Sequence, residues 1–334
     1  MSNPAKPDEG PPQSYTEEGS ILNIVDDLRT ISISKYVHLP QMIICGSKSN
    51  AKRSVIESIS GVRFPSRNDF YTGFVTEIIL RHDPTPRFKV SIRPGPTRIN
   101  ESDLWHLESF DPPVHDNTEQ SVALIEQATQ LVKFSLEDGF SDDIMRVEVS
   151  GPDKPDLTLI DMPRLFFADG INNGGREKTP GRRTIENYVL NQRCIILPVV
   201  SAKIDICPQK LIDFADKYDP NRKRILGIIT HLDTLEEPEE EALWLNAIKR
   251  SASEVPLGLH LVCTKSSETR HLLDEEREEK EKEFFDRGDW KTLARRSVGA
   301  GNLRRRLSSL LVDHVQSSLP DLVQEFQTEF LNQQ

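Results

Sequence analysis

The sequence predicts an α/β fold: a mostly parallel central sheet with helices on both faces and a further helix flanking it at each end of the chain. Three observations predict it. Short apolar runs alternate with stretches of helical spacing along most of the chain, as strands and crossover helices do in a parallel sheet. The run Gln41-Met42-Ile43-Ile44-Cys45 leads directly into Gly46-Ser47-Lys48-Ser49-Asn50-Ala51-Lys52-Arg53-Ser54, and helical spacing follows at Val55, Ile56 and Ile59. Strand, loop and helix in that order turn backbone N–H groups and a helix N-terminus toward an anion. The third observation is size: 334 residues, 36% hydrophobic and 28% charged, suffice for one large α/β domain with appended helices.

Each element follows in turn. Residues 1–19 carry Pro4, Pro7, Pro11 and Pro12 among Gly, Ser and Glu, the composition of a disordered tail. An amphipathic helix from about Ile21 to Ile33 places Leu22, Val25 and Leu28 on its apolar side. After the helix that follows Lys52, Ile78-Ile79-Leu80 and Phe88 to Ile92 read as two strands around the turn Asp83-Pro84-Thr85-Pro86. Residues 99–117 read as irregular, and Ser121 to Phe134 as a helix. Ile144–Val149 and Leu157–Ile160 are strands, and Asp161-Met162-Pro163-Arg164 follows the second directly.

A Gly-rich charged loop at 168–183 precedes a helix (184–192), a strand (Cys194–Val200), a helix (208–217) and a strand (Arg224–Ile229). That last strand ends in Thr230-His231-Leu232-Asp233. A helix from Glu236 to Ile248 and a strand from Leu259 to Cys263 complete the alternation. His271 to Phe285 is mostly Glu, Lys and Arg, and reads as a solvated helix face. Leu303, Leu307, Leu310, Leu311, Val315, Leu319, Leu322 and Phe326 recur at helical spacing, with Pro320 expected to kink or restart the helix.

Composition excludes some classes. A net charge of −11 argues against sequence-independent nucleic-acid binding, which needs a basic face. No run approaches the ~18 apolar residues of a membrane span. The N-terminus lacks the apolar core of a signal peptide. Cys45, Cys194, Cys207 and Cys263 have neither metal nor redox spacing, so a reducing, cytoplasmic compartment is the simplest expectation.

The chemistry concentrates in four short signals. A phosphate-binding P-loop reads G-x-x-x-x-G-K-[S/T]. Gly46 and Lys52 stand at that separation, but Ala51 replaces the second Gly and Arg53 the Ser or Thr. The other three are Thr76, Asp161-Met162-Pro163-Arg164 and Thr230-His231-Leu232-Asp233. All four are expected at the carboxyl ends of strands, where open parallel sheets bind ligands.

With these in order, the chain resembles the GTPase domain of the dynamin superfamily, especially its fungal and Mx-like members. Leu39-Pro40-Gln41, the stretch from Ser150-Gly151-Pro152 to Asp161-Met162-Pro163, and Asp219-Pro220-Asn221 to Thr230 carry the likeness, which spans about residues 20–330. The resemblance implies a P-loop NTPase fold, with a G domain at 37–300 and bundle helices at 20–36 and 301–334.

It also implies roles. The loop Gly46 to Ser54 would hold phosphate, with Lys52 on the β- and γ-phosphates. Thr76 would contact Mg²⁺ and the attacking water, and Asp161 would support Mg²⁺ through a water. Asp233 would accept from the guanine N1–H and N2 amino group, with Thr230, His231 and Thr264 in the same pocket. Lys48, Ser49 and Thr76 are the catalytic candidates. GTP or GDP is the implied ligand.

The departures count equally. A guanidinium cannot ligate a cation, so Arg53 removes the family's hydroxyl ligand to Mg²⁺. Ala51 adds a Cβ at a position that strains it if φ is positive. Lys48 stands for the water-positioning Gln, Arg164 for the Gly that meets the γ-phosphate, and His231 for the Lys along the base. Cys263-Thr264-Lys265 departs from the Asn that closes the base pocket. Three readings stay open: nucleotide binding with impaired hydrolysis, a nucleotide-free module that regulates full-length relatives, and a GTPase using Arg53 or Lys48 in place of metal. The family context implies membrane remodelling, indirect membrane association at organelles or microtubules, and a homodimer or dynamin-like partner on the G-domain face.

Overall fold

Alternation of side chains along one central strand explains the layering. Met42 and Ile44 point into one core with Val55, Ile56 and Ile59, whereas Ile43 and Cys45 point into another with Trp244, Leu245, Phe284 and Phe285. All four strand residues are fully buried, as expected of a strand covered on both faces. The computed structural model describes residues 21–28, 39–46, 49–65, 73–133, 140–163, 186–203, 217–221, 223–251, 254–264 and 274–332. The expected tail, the end of the first helix, the loop at 168–183 and most of the helix at 208–217 lie outside these residues. So do Ser47, Lys48, Arg164, Cys207 and Lys265.

The strands are β1 (Gln41–Gly46), β2 (Val75–His82), β3 (Arg87–Arg93), β4 (Ile144–Gly151), β5 (Leu157–Asp161), β6 (Cys194–Ser201), β7 (Gly227–Thr230) and β8 (Leu259–Val262). They form one eight-stranded sheet in the order β3-β4-β2-β5-β1-β6-β7-β8. From β5 through β8 every neighbour is parallel. The joins β2–β5 and β3–β4 are antiparallel, and β2–β4 is parallel. The strands expected around Asp83-Pro84-Thr85-Pro86 therefore do not pair with each other, because β4 lies between them.

Helices α1 (21–28), α2 (Ser49–Ser60), α3 (Glu101–Glu108), α4 (Ser121–Lys133), α5 (186–190), α6 (Pro238–Ser251), α7 (Asp274–Asp286) and α8 (Ala300–Asn332) cover the sheet. Two expectations are corrected and a third, for Pro320, is narrowed. The segment 99–117 contains α3, started by the Asn100 side chain accepting from the Ser102 N–H at 3.0 Å. Helix α8 runs through Pro320 without restarting; Pro320 sits on the solvent side, where water can satisfy the carbonyl that loses its partner. Helix α7 is not merely solvated: Arg277, Glu281, Phe284 and Phe285 form a buried face at spacings of four, three and one.

The first half of α8 belongs to the main core. Leu303, Leu307, Leu311 and Val315 are buried with β1 and α2 side chains. Helix α1 joins the same core through Leu22 and Val25, and its Asp26 accepts from the Arg81 guanidinium and from the Thr158 hydroxyl at 3.0 Å.

Candidate functional site

The strand directions decide which residues meet. The carboxyl ends of β1, β5, β6, β7 and β8 lie along one edge because these strands are parallel. Thr76 is the second residue of β2, not at its carboxyl end as the sequence reading expected. The antiparallel β2–β5 join nevertheless brings it to the same edge, with Thr76 opposite Asp161 in register.

The phosphate-loop side is built on α2. Gly46 ends β1 with the Val199 carbonyl oxygen 3.1 Å from where a Cβ would stand, so a side chain there would press on β6. Ala51 lies inside α2 with helical backbone, so the anticipated positive-φ strain is absent; among the described non-glycine residues only His231 has positive φ. Ser49 and Asn50 begin the same helix. Lys52 is 4% exposed and turned inward: its ammonium pairs with Asp161 Oδ1 at 2.6 Å and donates to the Met162 carbonyl. Burial raises the Asp161 carboxyl above its ordinary pKa, and the Lys52 charge opposes that rise. Arg53 Nη1 donates to the Pro65 carbonyl at 2.8 Å, beyond the far end of α2.

A buried run of hydroxyls joins this helix to the other half of the edge. Ser54 Oγ lies 2.8 Å from Thr264 Oγ1, which lies 2.7 Å from Thr230 Oγ1. Ser54 Oγ also donates to the Ala51 carbonyl at 2.8 Å. A hydroxyl has one proton, so one assignment satisfies all of them: Thr230 donates to Thr264, Thr264 to Ser54, and Ser54 to Ala51.

Beyond Thr230 the chain turns sharply. His231 adopts left-handed backbone at φ 61°, ψ 30°, a costly conformation for a non-glycine residue. The turn is closed by Thr234, whose N–H and hydroxyl both donate to the His231 carbonyl. His231 is buried with Nδ1 3.4 Å from Ser201 Oγ, and desolvation followed by the nearby Lys203 charge lowers its pKa to about 4. The ring is therefore neutral at pH 7.

Asp233 follows at the mouth of a cavity of about 340 Å³. Cys263 and Thr264 line it from β8's end, and Arg277, Glu281, Phe284 and Arg287 line it from α7 and the turn after it. Glu281 bonds two structural ends at once. Its Oε1 accepts from the Cys263 N–H at 2.6 Å and its Oε2 from the Ala300 N–H at 2.7 Å.

The edge thus gathers Gly46, Ala51, Lys52, Ser54, Thr76, Asp161, Thr230, His231, Asp233 and Thr264. The contribution of α7 was not read from sequence, because its dense charge masked the spacing of Arg277, Glu281 and Phe284.

A P-loop nucleoside-triphosphatase fold with this edge defines the class of protein. The model of the dynamin family matches residues 42–232, more than half of the chain, and the chain belongs to that family. It is similar to the interferon-induced GTP-binding protein Mx1 of Ictalurus punctatus, at 28% identity over 331 residues covering 94% of this chain and 48% of the relative. It is also similar to the interferon-induced GTP-binding protein Mx of Ctenopharyngodon idella, at 29% identity covering 94% and 49%. The interferon-induced GTP-binding protein MxE of Danio rerio is 29% identical, covering 93% and 48%. The chain spans about half the length of these relatives.

Proposed function

We propose that the chain binds a guanine nucleotide along this edge and hydrolyses it weakly. The observation that carries the reading is that one edge of the sheet brings together the Lys52–Asp161 pair, the Ser54–Thr264 contact and the cavity lined by Asp233. The cavity volume falls in the range of small-ligand sites. The relatives' description as GTP-binding proteins supports the same ligand class.

In this reading Lys52 exchanges Asp161 and the Met162 carbonyl for phosphate oxygens, while the N-terminus of α2 faces the same anion. The acidic Asp233 accepts from the purine's N1–H and N2 amino group. Weak turnover follows from the donor set. Arg53 has no lone pair for a cation and is tied to Pro65, so the position that carries the family's hydroxyl ligand offers none here. These residues do not fit Mg²⁺ in the family's manner, so no step of the reading uses it. Losing one preorganised electrostatic group commonly costs about 10²–10³ in rate.

Isothermal calorimetry with GDP and a non-hydrolysable GTP analogue, each with Mg²⁺ and with chelator, tests this. Dissociation constants on the order of 10–100 µM, changed less than about threefold by chelator, are expected. No heat at millimolar nucleotide would sink the reading.

A second reading is favoured by the end of α8. Val323, Phe330 and Leu331 are 53%, 66% and 69% exposed, an apolar surface suited to a protein partner. In that case the chain is a nucleotide-free module that regulates full-length relatives. An unchanged melting temperature with every nucleotide, together with capture of a relative, would select it. Under either reading the family context proposes membrane remodelling, a cytoplasmic site peripheral to organelle membranes or microtubules, and a homodimer through the G-domain face. No helix among the described residues is long and apolar enough to cross a membrane.

A further inference from the structure

The cavity beside Asp233 is lined by a guanidinium two of whose donor atoms the described residues leave without an acceptor. Arg277 is 4% exposed, and its Nε and Nη1 are buried with no hydrogen-bond acceptor among the described residues. Its Nη2 reaches only Glu278 Oε1 at 3.4 Å, an oxygen already engaged by Arg304. A guanidinium stays charged at every accessible pH and carries five N–H donors. Burying its Nε and Nη1 donors without acceptors is unfavourable, so such a group beside a cavity marks a place for one.

The neighbours do not supply that acceptor. Glu281 lies one turn further along α7, but its two oxygens are taken by the Cys263 and Ala300 N–H groups. The helix that presents Arg277 is held firmly. Phe284 and Phe285 are buried in the core, and Phe284 packs against Trp290 with ring centroids 5.3 Å apart. Asp233 and Thr264 face the same space from the ends of β7 and β8. The lining of one cavity therefore combines an acceptor with a planar fork of donors.

Guanine has the matching arrangement. Its N1–H and N2 amino group donate, and its O6 and N7 accept side by side, the pair to which an Arg fork fits bidentately. Adenine places an amino donor where guanine has O6 and would face the guanidinium with the wrong polarity. We propose that Arg277 reads the acceptor edge of the purine, donating to O6 and N7 while Asp233 accepts from the N1–H and N2 amino group. This rests on the nucleotide reading above and deepens it, adding a specificity-determining residue from α7.

The test measures affinities of the full chain for GDP, 7-deaza-GDP and ADP, for the wild type, Arg277→Met and Arg277→Lys. Removing N7 deletes one acceptor and leaves the Asp233 edge intact. Wild type is expected to prefer GDP over 7-deaza-GDP by about 5- to 10-fold. In Arg277→Met that ratio falls to within about twofold, and discrimination against ADP shrinks with it. A merely structural arginine would weaken both guanine ligands equally and leave the ratio untouched, which would overturn the proposal. If Arg277→Met does not fold by circular dichroism, Arg277→Lys keeps the charge without the fork, and an unchanged ratio there overturns it equally. Equal affinity of wild type for GDP and 7-deaza-GDP also overturns it, with nucleotide binding itself intact. Wild type that binds no GDP overturns the nucleotide reading instead, a distinguishable result.

Discussion

Ser54 and Thr264 meet hydroxyl to hydroxyl at 2.8 Å across 210 residues of sequence, both almost fully buried. The contact ties the helix that carries Lys52 to the strand end that lines the cavity of Asp233. A buried hydroxyl without a partner costs about 1–3 kcal/mol, so this chain resists being broken in the middle. Thr264→Val should destabilise the fold by about 2 kcal/mol in urea titrations and weaken GDP binding. Ser54→Ala combined with Thr264→Val should cost less than the sum of the two, because they share one network. Strict additivity would show that the hydroxyls act separately.

Lys52 and Asp161 form a buried pair, and removing one partner strands the other. Asp161→Asn leaves an uncompensated ammonium in the interior and should cost about 3–5 kcal/mol. Lys52→Met with Asp161→Asn removes both charges and should recover much of that stability while abolishing GDP binding. Chemical denaturation and calorimetry on the three variants separate the two effects. A double variant as unstable as Asp161→Asn alone would refute the pairing argument.

Acid should loosen the fold through His260. Its ring is fully buried, with Nε2 donating to the Gly299 carbonyl at 2.9 Å and Nδ1 facing Arg306 Nη1 at 3.4 Å. Desolvation lowers its pKa to about 4, with the Gly299 bond opposing and the Arg306 charge adding to the fall. The unfolded chain titrates near 6.5 and binds more protons below that value, so stability is present above 6.5 and lost as pH falls toward 4. The full loss is at most about 3 kcal/mol. His231, also lowered to about 4, acts in the same direction. Thermal melts between pH 7 and 4.5 should show a falling midpoint, with a shallower slope in His260→Gln. An identical slope in that variant would remove His260 from the account.

Glu281 caps two elements that are far apart in topology, the end of β8 and the start of α8. Glu281→Ala should cost about 2–3 kcal/mol, since it orphans the Cys263 and Ala300 N–H groups and removes an acid from a helix N-terminus. Glu281→Gln, which keeps one oxygen acceptor, should lose less. Hydrogen exchange of the Ala300 amide is the local readout, and protection unchanged in Glu281→Ala would contradict it.

Arg53→Ser tests why turnover is expected to be weak. The serine restores a hydroxyl where the family has one and releases the bond to Pro65. Mg²⁺-dependent GTP hydrolysis should rise by about tenfold or more in a phosphate-release assay. A fall in a chelator-insensitive rate would instead favour an arginine acting in place of metal.

Much of the fold was legible because burial on both faces leaves strong marks. The run Gln41–Cys45, the runs at β5 and β6, and the heptad-like spacing from Leu303 to Val315 all stood where apolar periodicity placed them. Helix α3 was missed because its apolar residues are few. The inner face of α7 was missed for a different reason. Arg277 and Glu281 are charged residues buried at core positions, and polarity alone cannot say whether a charge meets water or a backbone amide.

The sequence by itself determined the alternating order of strands and helices, the placing of Lys52 between the first strand and the helical spacing of Val55 to Ile59, and the loss of the hydroxyl at Arg53. These are local facts, set by spacing and residue type within a few turns of chain. Only the tertiary structure decided that β2 runs against β5, bringing Thr76 opposite Asp161 from the amino end of its strand. It alone folded α7 over the end of β8, so that Arg277 and Asp233 face one cavity. Strand direction and helix placement arise from contacts between residues tens to hundreds of positions apart, and no local pattern records which partner each face will find.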